Sequence, residues 1–329
     1  MNFRTLSVVV LSIAVLSALS ALSLFGQNGQ IAGPAIGFVF DSSVSALRPV
    51  LGIPGASTMG NPVNAGFALS WATVAPRQDS AIATAADGSL HLLRLSSGVA
   101  ETPCAACPAT AQAAIFSPAG TSVALYSAGR AQIVTGLPGA PVAGASFEVG
   151  ALPRALRGRA MPPPMAISDD GAWLLAATSA SVTLFNANGG SRQLLGTGPY
   201  PQVAFAAGSH DAAIADGYVA GLVLFHDVAG ASTQQSLDTP DDIRHSGAVA
   251  FSTDGGKLFV AVPEQQSVVG IDTASGVRTA SACNCTLSGL TPMGAVLRLN
   301  EAGNGPLWLL DAGTPSAPRV VFVPALVAQ

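Results

Sequence analysis

Short apolar runs broken by Gly, Pro, Asp and Ser fill the chain from residue 36 to its end, and no stretch after residue 25 keeps a helical i, i+3, i+4, i+7 pattern for three turns. That patterning predicts an all-β protein. The runs are also self-similar. Ala114-Ile-Phe-Ser-Pro-Ala-Gly120, Ala166-Ile-Ser-Asp-Asp-Gly171 and Val249-Ala-Phe-Ser-Thr-Asp-Gly255 superpose, and each is followed by a second apolar run: Ser122 to Tyr126, Trp173 to Ala177 and Lys257 to Val262. Weaker copies occur at Ala72 to Pro76, Val203 to Gly208 and Val296 to Asn300. With Val74, Phe116, Ile167, Phe205, Phe251 and Leu299 as equivalent points, the unit recurs every 38 to 51 residues.

A third strand follows in most units and ends on a polar turn, as at Leu92 to Leu95, Val182 to Phe185, Leu222 to Phe225 and Val268 to Ile271. Glycine supplies positive φ in such turns, and Asp or Asn bonds its own backbone two residues on, so these clusters read as strand connections. A variable fourth strand, such as Ser191 to Leu195 or Val277 to Ala280, completes the unit. Four short antiparallel strands at this period match the blade of a β-propeller. Six four-stranded blades are expected, with seven as the alternative. The N-terminal hairpin, Ile36 to Asp41 and Ala46 to Val50, reads as outer strands that share one blade with Val296 to Leu299, Leu307 to Leu310 and Val320 to Val323, hiding two sheet edges.

The N-terminus differs from the rest. Arg4 is followed by an uncharged, mainly apolar run from Thr5 to Phe25 with small residues at 17–23, which reads as an export signal. An uncleaved membrane anchor is the alternative, since the run also suffices to span about 30 Å of hydrocarbon. The expected organisation is a signal peptide or anchor at 1–25, a linker at 26–35 and a propeller at 36–329. Export to a periplasmic or extracellular, oxidising space makes disulfides the first reading of Cys104-Ala-Ala-Cys107 and Cys283-Asn-Cys285. Both pairs fall between an edge strand and the next inner strand, so two local bridges are expected. Zinc would want a second C-x₂-C or histidines at matching spacing, and Cys107 is followed by Pro108 rather than the histidine of a c-type haem motif.

Residues such as Phe251-Ser-Thr-Asp-Gly-Gly-Lys-Leu-Phe-Val-Ala-Val262 and Val269-Gly-Ile-Asp-Thr-Ala-Ser-Gly276 resemble those of β-propellers of the YVTN or WD-like repeat type, and the likeness extends over roughly residues 36 to 325. The Gly-His and Trp-Asp dipeptides of true WD repeats are missing. The resemblance implies a scaffold and no single activity. Related six-bladed lactonases and calcium hydrolases need acidic and amide ligands converging on the channel, a set that does not map onto this chain. Trp71, Trp173 and Trp308 lack the Trp-rich signature of quinone-cofactor propellers.

Charge and candidate chemistry narrow the function. Only 10% of residues are charged, the net charge is −4 and Lys257 is the sole lysine, so nucleic acid is a poor partner. A membrane is expected as a partner only through the N-terminal segment, if uncleaved. His91, His210, His226 and His245 are never two to five residues apart, and His210-Asp211 and His226-Asp227 fall at turns and strand ends. No Gly-x-Ser-x-Gly elbow and no phosphate-binding lysine loop is present. Asp238, Asp241 and Asp242 crowd one loop that could take calcium, with a solvated acidic loop as the plainer reading. Arg154, Arg157 and Arg159 run into Met161-Pro-Pro-Pro164, an inserted loop suited to partner docking or to linking blades. The four glutamates, Glu101, Glu148, Glu264 and Glu301, are scattered, and most aspartates lie in turns. No catalytic, cofactor or metal set is picked out. The expectation is an exported scaffold that binds protein or glycan partners in the cell envelope. The competing class is a hydrolase or lactonase-like enzyme in the central channel, recognisable by carboxylates, amides or histidines converging there from at least three blades.

Overall fold

The computed structural model describes residues 34–325 except 96–97, 151–154, 157–158, 161–163, 179 and 314–317, with backbone alone at 155–156 and 159–160. The expected signal peptide or anchor at 1–25, most of the expected linker, and Arg154, Arg157, Met161, Pro162 and Pro163 of the inserted loop therefore lie outside the described residues. The described strands belong to one compact unit, Ala35–Gln329.

Among the described residues, seven sheets form the blades of an all-β propeller, each a meander of antiparallel strands in chain order. Blade 1 holds Ala35–Asp41, Ala46–Ile53 and Ala56–Met59. Blade 2 holds Leu69–Val74, Ser80–Ala85, Leu90–Arg94 and Ala100–Thr102, and blade 3 holds Ala113–Phe116, Ser122–Ser127, Arg130–Thr135 and Val142–Glu148. Blade 4 holds Met165–Ile167, Trp173–Ala177, Ser181–Asn186 and Ser191–Gly196; blade 5 holds Gln202–Phe205, Ala212–Asp216, Gly221–His226 and Thr233–Asp238. Blade 6 holds Ala248–Phe251, Lys257–Val262, Ser267–Asp272 and Arg278–Ala282, and blade 7 holds Thr291–Met293, Val296–Arg298, Leu307–Asp311 and Arg319–Val323. In the insert between blades 3 and 4, Ala155–Leu156 pairs with Arg159–Ala160.

The burial of each strand explains its composition. Second strands are covered on both faces by neighbouring blades, so every residue of Ser80–Ala85 and of Ala212–Asp216 is buried, and such strands read as solid apolar runs. The outer strand Arg278–Ala282 alternates exposed and half-buried residues because only one side meets protein. The core is a ring of interblade layers: Leu222 and Leu224 of blade 5 meet Val249, Phe251 and Val260 of blade 6. Each of these large side chains contributes about 1.5 to 3 kcal/mol by leaving water.

The blade count corrects the expected six and matches the alternative of seven. The N-terminal hairpin does not supply outer strands to the last blade. It forms its own sheet, wedged between two others. Val39, Val50 and Met59 pack on Val296, Leu307 and Leu309 of blade 7, while Leu47 packs on Leu69, Ala81 and Leu93 of blade 2. A hairpin buried on both faces is a blade in its own right. The buried ion pair Arg48 Nη1 to Asp41 Oδ2, 3.0 Å, and Arg48 Nε donating to Gly60 O at 2.8 Å fasten it. Among the described residues, backbone pairing between the terminal sheets is limited to the Asp41–Ala302 bridge. Blade 7 also carries a strand that the sequence reading left out: Thr291–Met293 lies on the channel side of Val296–Arg298, against Ala35–Asp41.

Candidate binding face

In blades 2 to 7 the antiparallel meanders put the links between first and second strands at one end. The second-to-third links and the crossings to the next blade lie at the other end. The two faces are built differently.

The first face is uniform. In blades 2 to 6 its turns are closed by one repeating bond at 2.8 to 2.9 Å, from the N–H of Ala75, Ser117, Ser168, Ala206 and Ser252 to the carbonyl of Ser80, Ser122, Trp173, Asp211 and Lys257 respectively. Within them Ser168 Oγ donates to Asp170 Oδ1 at 2.5 Å, and Ser252 Oγ to Asp254 Oδ1 at 2.6 Å. Gly120, Gly171, Gly208 and Gly255 all adopt φ near +70° (68°, 70°, 68° and 72°), which is why glycine recurs there. The aspartates cap these turns, as expected from their positions. The Ser252 hydroxyl and the Gly256 N–H hold Asp254 below the ordinary carboxylate range. Burial opposes the same effect at Asp170, but the Ser168 hydroxyl, Ala172 N–H and His210 outweigh it and hold its carboxyl low. Asp169 ties three blades together by accepting from Ala119 N at 2.6 Å and Gly208 N at 2.8 Å. His210 Nε2 lies 3.0 Å from Asp170 Oδ2 and His226 Nδ1 lies 3.3 Å from Asp211 Oδ2, so both histidines serve the turns.

Where Ala35–Asp41, Leu69–Val74 and Thr291–Met293 converge at the channel, a cavity of about 110 Å³ is lined by Phe38, Thr73, Gln78, Thr291, Arg298 and Glu301 among others. Gln78 Oε1 accepts from Phe38 N at 2.7 Å and its Nε2 donates to Ala75 O at 3.1 Å, while Arg298 Nη2 donates to Glu301 Oε1 at 2.8 Å. The cavity thus brings one amide and one carboxylate together, from blades 2 and 7. His91 is elsewhere, with Nδ1 2.8 Å from Glu101 and its ring stacked on Phe67.

The second face varies from blade to blade. Its crossings run over 103–112, 149–164, 197–201, 239–247 and 283–290, and local chemistry holds the described ones in different ways. Cys104 and Cys107 (Cα–Cα 5.3 Å) lie in the first, and Cys283 and Cys285 (5.1 Å) in the last, each pair at disulfide-bonding distance. In 239–247 the acidic cluster is internally compensated: Arg278 reaches Asp238 Oδ2 at 3.1 Å and Asp242 Oδ1 at 3.4 Å, and Arg244 reaches Asp241 Oδ1 at 3.6 Å. Burial, reinforced by the adjacent Asp242, pushes Asp238 up to about 6. The Thr239 hydroxyl, then Asp238, hold Asp242 at about 2. Among the described residues no three His, Cys, Asp or Glu side chains come together as a metal site.

One group on this face carried little signal in the sequence. The carboxylate of Asp216, itself buried, accepts the backbone N–H groups of Gly198, Tyr218, Val219 and Ala220 at 3.0 to 3.2 Å. It holds up a tip on which Tyr218 is 39% and Val219 64% exposed. Tyr218 meets the His245 ring edge-on, centroids 5.3 Å apart, and His245 Nδ1 lies 2.7 Å from Glu264 Oε2. These residues come from blades 5 and 6 and from a crossing between them, at unrelated spacings. An Asp-Gly followed by two large exposed residues was the only clue.

No protein-family model matches this sequence, and none of the curated proteins does. Solved structures do match. A proposed 6-phosphogluconolactonase from Bacteroides fragilis is 14% identical, with a TM-score of 0.54 over 88% of this chain and 95% of its own. Apo AztD from Citrobacter koseri is 12% identical, with a TM-score of 0.52 over 89% and 82%. The WD40 repeats of RRP9 are 11% identical, with a TM-score of 0.51 over 78% and 81%. The likeness is one of fold. It places WD40 and lactonase-like propellers among the structural neighbours.

Proposed function

We propose that this chain is an exported propeller of the YVTN or WD-like repeat type that binds a protein or glycan partner in the cell envelope through its variable face, with Cys104–Cys107 and Cys283–Cys285 bridged. The observation that carries this reading is the contrast between the two faces. One repeats a single turn bond in five blades and the other changes length and chemistry at each crossing. A rigid ring that presents dissimilar, locally fastened loops on one side suits recognition. Binding is favoured over lactonase-like turnover because the channel cavity gathers amide and carboxylate groups from two blades, and its Gln78 is committed to backbone partners.

Site-specific photo-crosslinking in the producing cell tests the reading. A benzophenone side chain at Val219 or Asn284, on the variable face, is expected to give adducts with an envelope component, whereas one at Ser209 or Thr253, on the uniform face, is not. Adducts confined to the uniform face, or none on either, would overturn it.

A further inference from the structure

The tip at Tyr218 is more rigid than an exposed aromatic needs to be. A Cβ on Gly217 would lie 2.6 Å from His245 N and from Ile243 O, and one on Gly198 would lie 2.4 Å from Tyr218 Cβ, so two glycines allow neighbouring loops to close on both sides of it. Four amides held by Asp216 fix the backbone. An aromatic ring already immobilised loses little freedom when a ligand covers it. Strain is concentrated in the same place: Tyr200 (φ 66°), His245 (φ 57°) and Gln266 (φ 48°) are non-glycine residues in the left-handed region on three loops of this face. Such conformations persist where surrounding structure enforces them, and they cluster at binding sites.

The chemistry around the ring selects the kind of ligand. Two arginines match the acidic cluster nearby, Arg244 against Asp241 and Arg278 against Asp238 and Asp242, and Glu264 Oε2 is held 2.7 Å from His245 Nδ1. An incoming ion would find most of the formal charge here already paired. What remains are oriented lone pairs and N–H groups beside one aromatic ring, including Gln265, whose Nε2 reaches Asp242 O at 3.3 Å. A sugar ring has the matching surface, with C–H groups to lay on an aromatic face and hydroxyls that both donate and accept. We infer that Tyr218, with His245, Glu264 and Gln265, forms a site for a neutral pyranose ring of a glycan. This deepens the proposed binding role and rests on it.

Calorimetric titration of the full chain with glucose, galactose, mannose, N-acetylglucosamine, cellotetraose, maltotetraose and chitotetraose tests the site. At least one is expected to bind with a Kd on the order of 0.1 to 1 mM, with an affinity that does not change with salt because the ligand is uncharged. Tyr218→Ala should weaken binding about tenfold or more, and Glu264→Gln or Gln265→Ala severalfold, while Tyr218→Phe keeps it within about threefold. No binding of any probe, an unchanged affinity in Tyr218→Ala, or a steep loss of affinity with salt would each overturn the inference. Crosslinks from Val219 without sugar binding would sink this site and leave the binding face standing; absence of crosslinks on the variable face would sink the broader reading.

Discussion

Asp216→Ala is the most direct perturbation of the variable face. Asp216 is fully buried and accepts four backbone N–H groups. Removing its carboxylate strands the donor of Gly198, which is away from water, at a cost of about 1 to 3 kcal/mol for an unsatisfied buried group. The amides of Tyr218, Val219 and Ala220 sit on a half-exposed tip that can turn toward solvent, so each loses nearer 0.5 kcal/mol, the low end for a net hydrogen bond. The sum is about 3 kcal/mol. Asn at the same position keeps one acceptor oxygen but turns an NH₂ toward donors, so roughly two-thirds of that loss is expected. In urea titrations the midpoint should fall accordingly, and the melting temperature should drop by about 6 °C at roughly 2 °C per kcal/mol for a chain of this size. Chymotrypsin should also gain a cut after Tyr218 under native conditions, because the freed tip can enter a protease. A variant within about 1 kcal/mol of the parent, with no new cut at Tyr218, would refute the claim that this carboxylate holds the tip.

Three further outcomes are expected. Asp238 has a folded-state pKa of about 6 against 3.8 for the ordinary carboxylate, so between those values the folded protein keeps a proton that the unfolded chain has released. Stability therefore falls as pH rises through that window and is lowest above it. Asp238→Asn should abolish that fall in urea titrations run between pH 4 and 7 and gain about 1 kcal/mol at pH 7 after losing the Arg278 pair; an unchanged slope would count against it. Asp242, held at about 2, acts in the opposite sense and below this window. Arg48→Ala strands the buried Asp41 carboxylate and should cost about 3 kcal/mol or more by the same titration, whereas a near-neutral result would mean blade 1 does not brace the ring. Intact mass analysis without reductant should show no free thiols, and Cys104→Ser with Cys107→Ser should cost no more than about 2 kcal/mol in urea, the chain-entropy value for so small a ring.

Much of this was readable in advance, and for one physical reason. A residue pattern can be recognised only where several units solve the same problem the same way. Ser168-Asp-Asp-Gly171 and Ser252-Thr-Asp-Gly255 are such a solution, since hydroxyl, carboxylate and left-handed glycine close the same turn. The solid apolar second strands are another. Blade 1 escaped because Asp41-Ser-Ser-Val-Ser45 turns without glycine, through Ser43 N–H and hydroxyl bonds to Asp41, and because the alternating burial of Ala35–Asp41 mimics a half-exposed outer strand. What covers its second side comes from the far end of the chain, which no local window contains.

The candidate site was illegible for the complementary reason. Tyr218, His245 and Glu264 sit on loops that differ from their counterparts in every other blade, so no copy exists to compare them with, and His245 read as one of four isolated histidines. Only the packing of blade 6 on blade 5, with Gly198 and Gly217 permitting close approach, brings those loops together. In a repeat fold the units agree where the architecture is maintained and diverge where a partner can be told apart. The regularity that makes the ring predictable therefore directs attention away from the face proposed to bind. The productive search on such a chain is for the loop where the repeat fails while hydrogen bonding becomes denser, and Asp216 with its four amides marks that loop here.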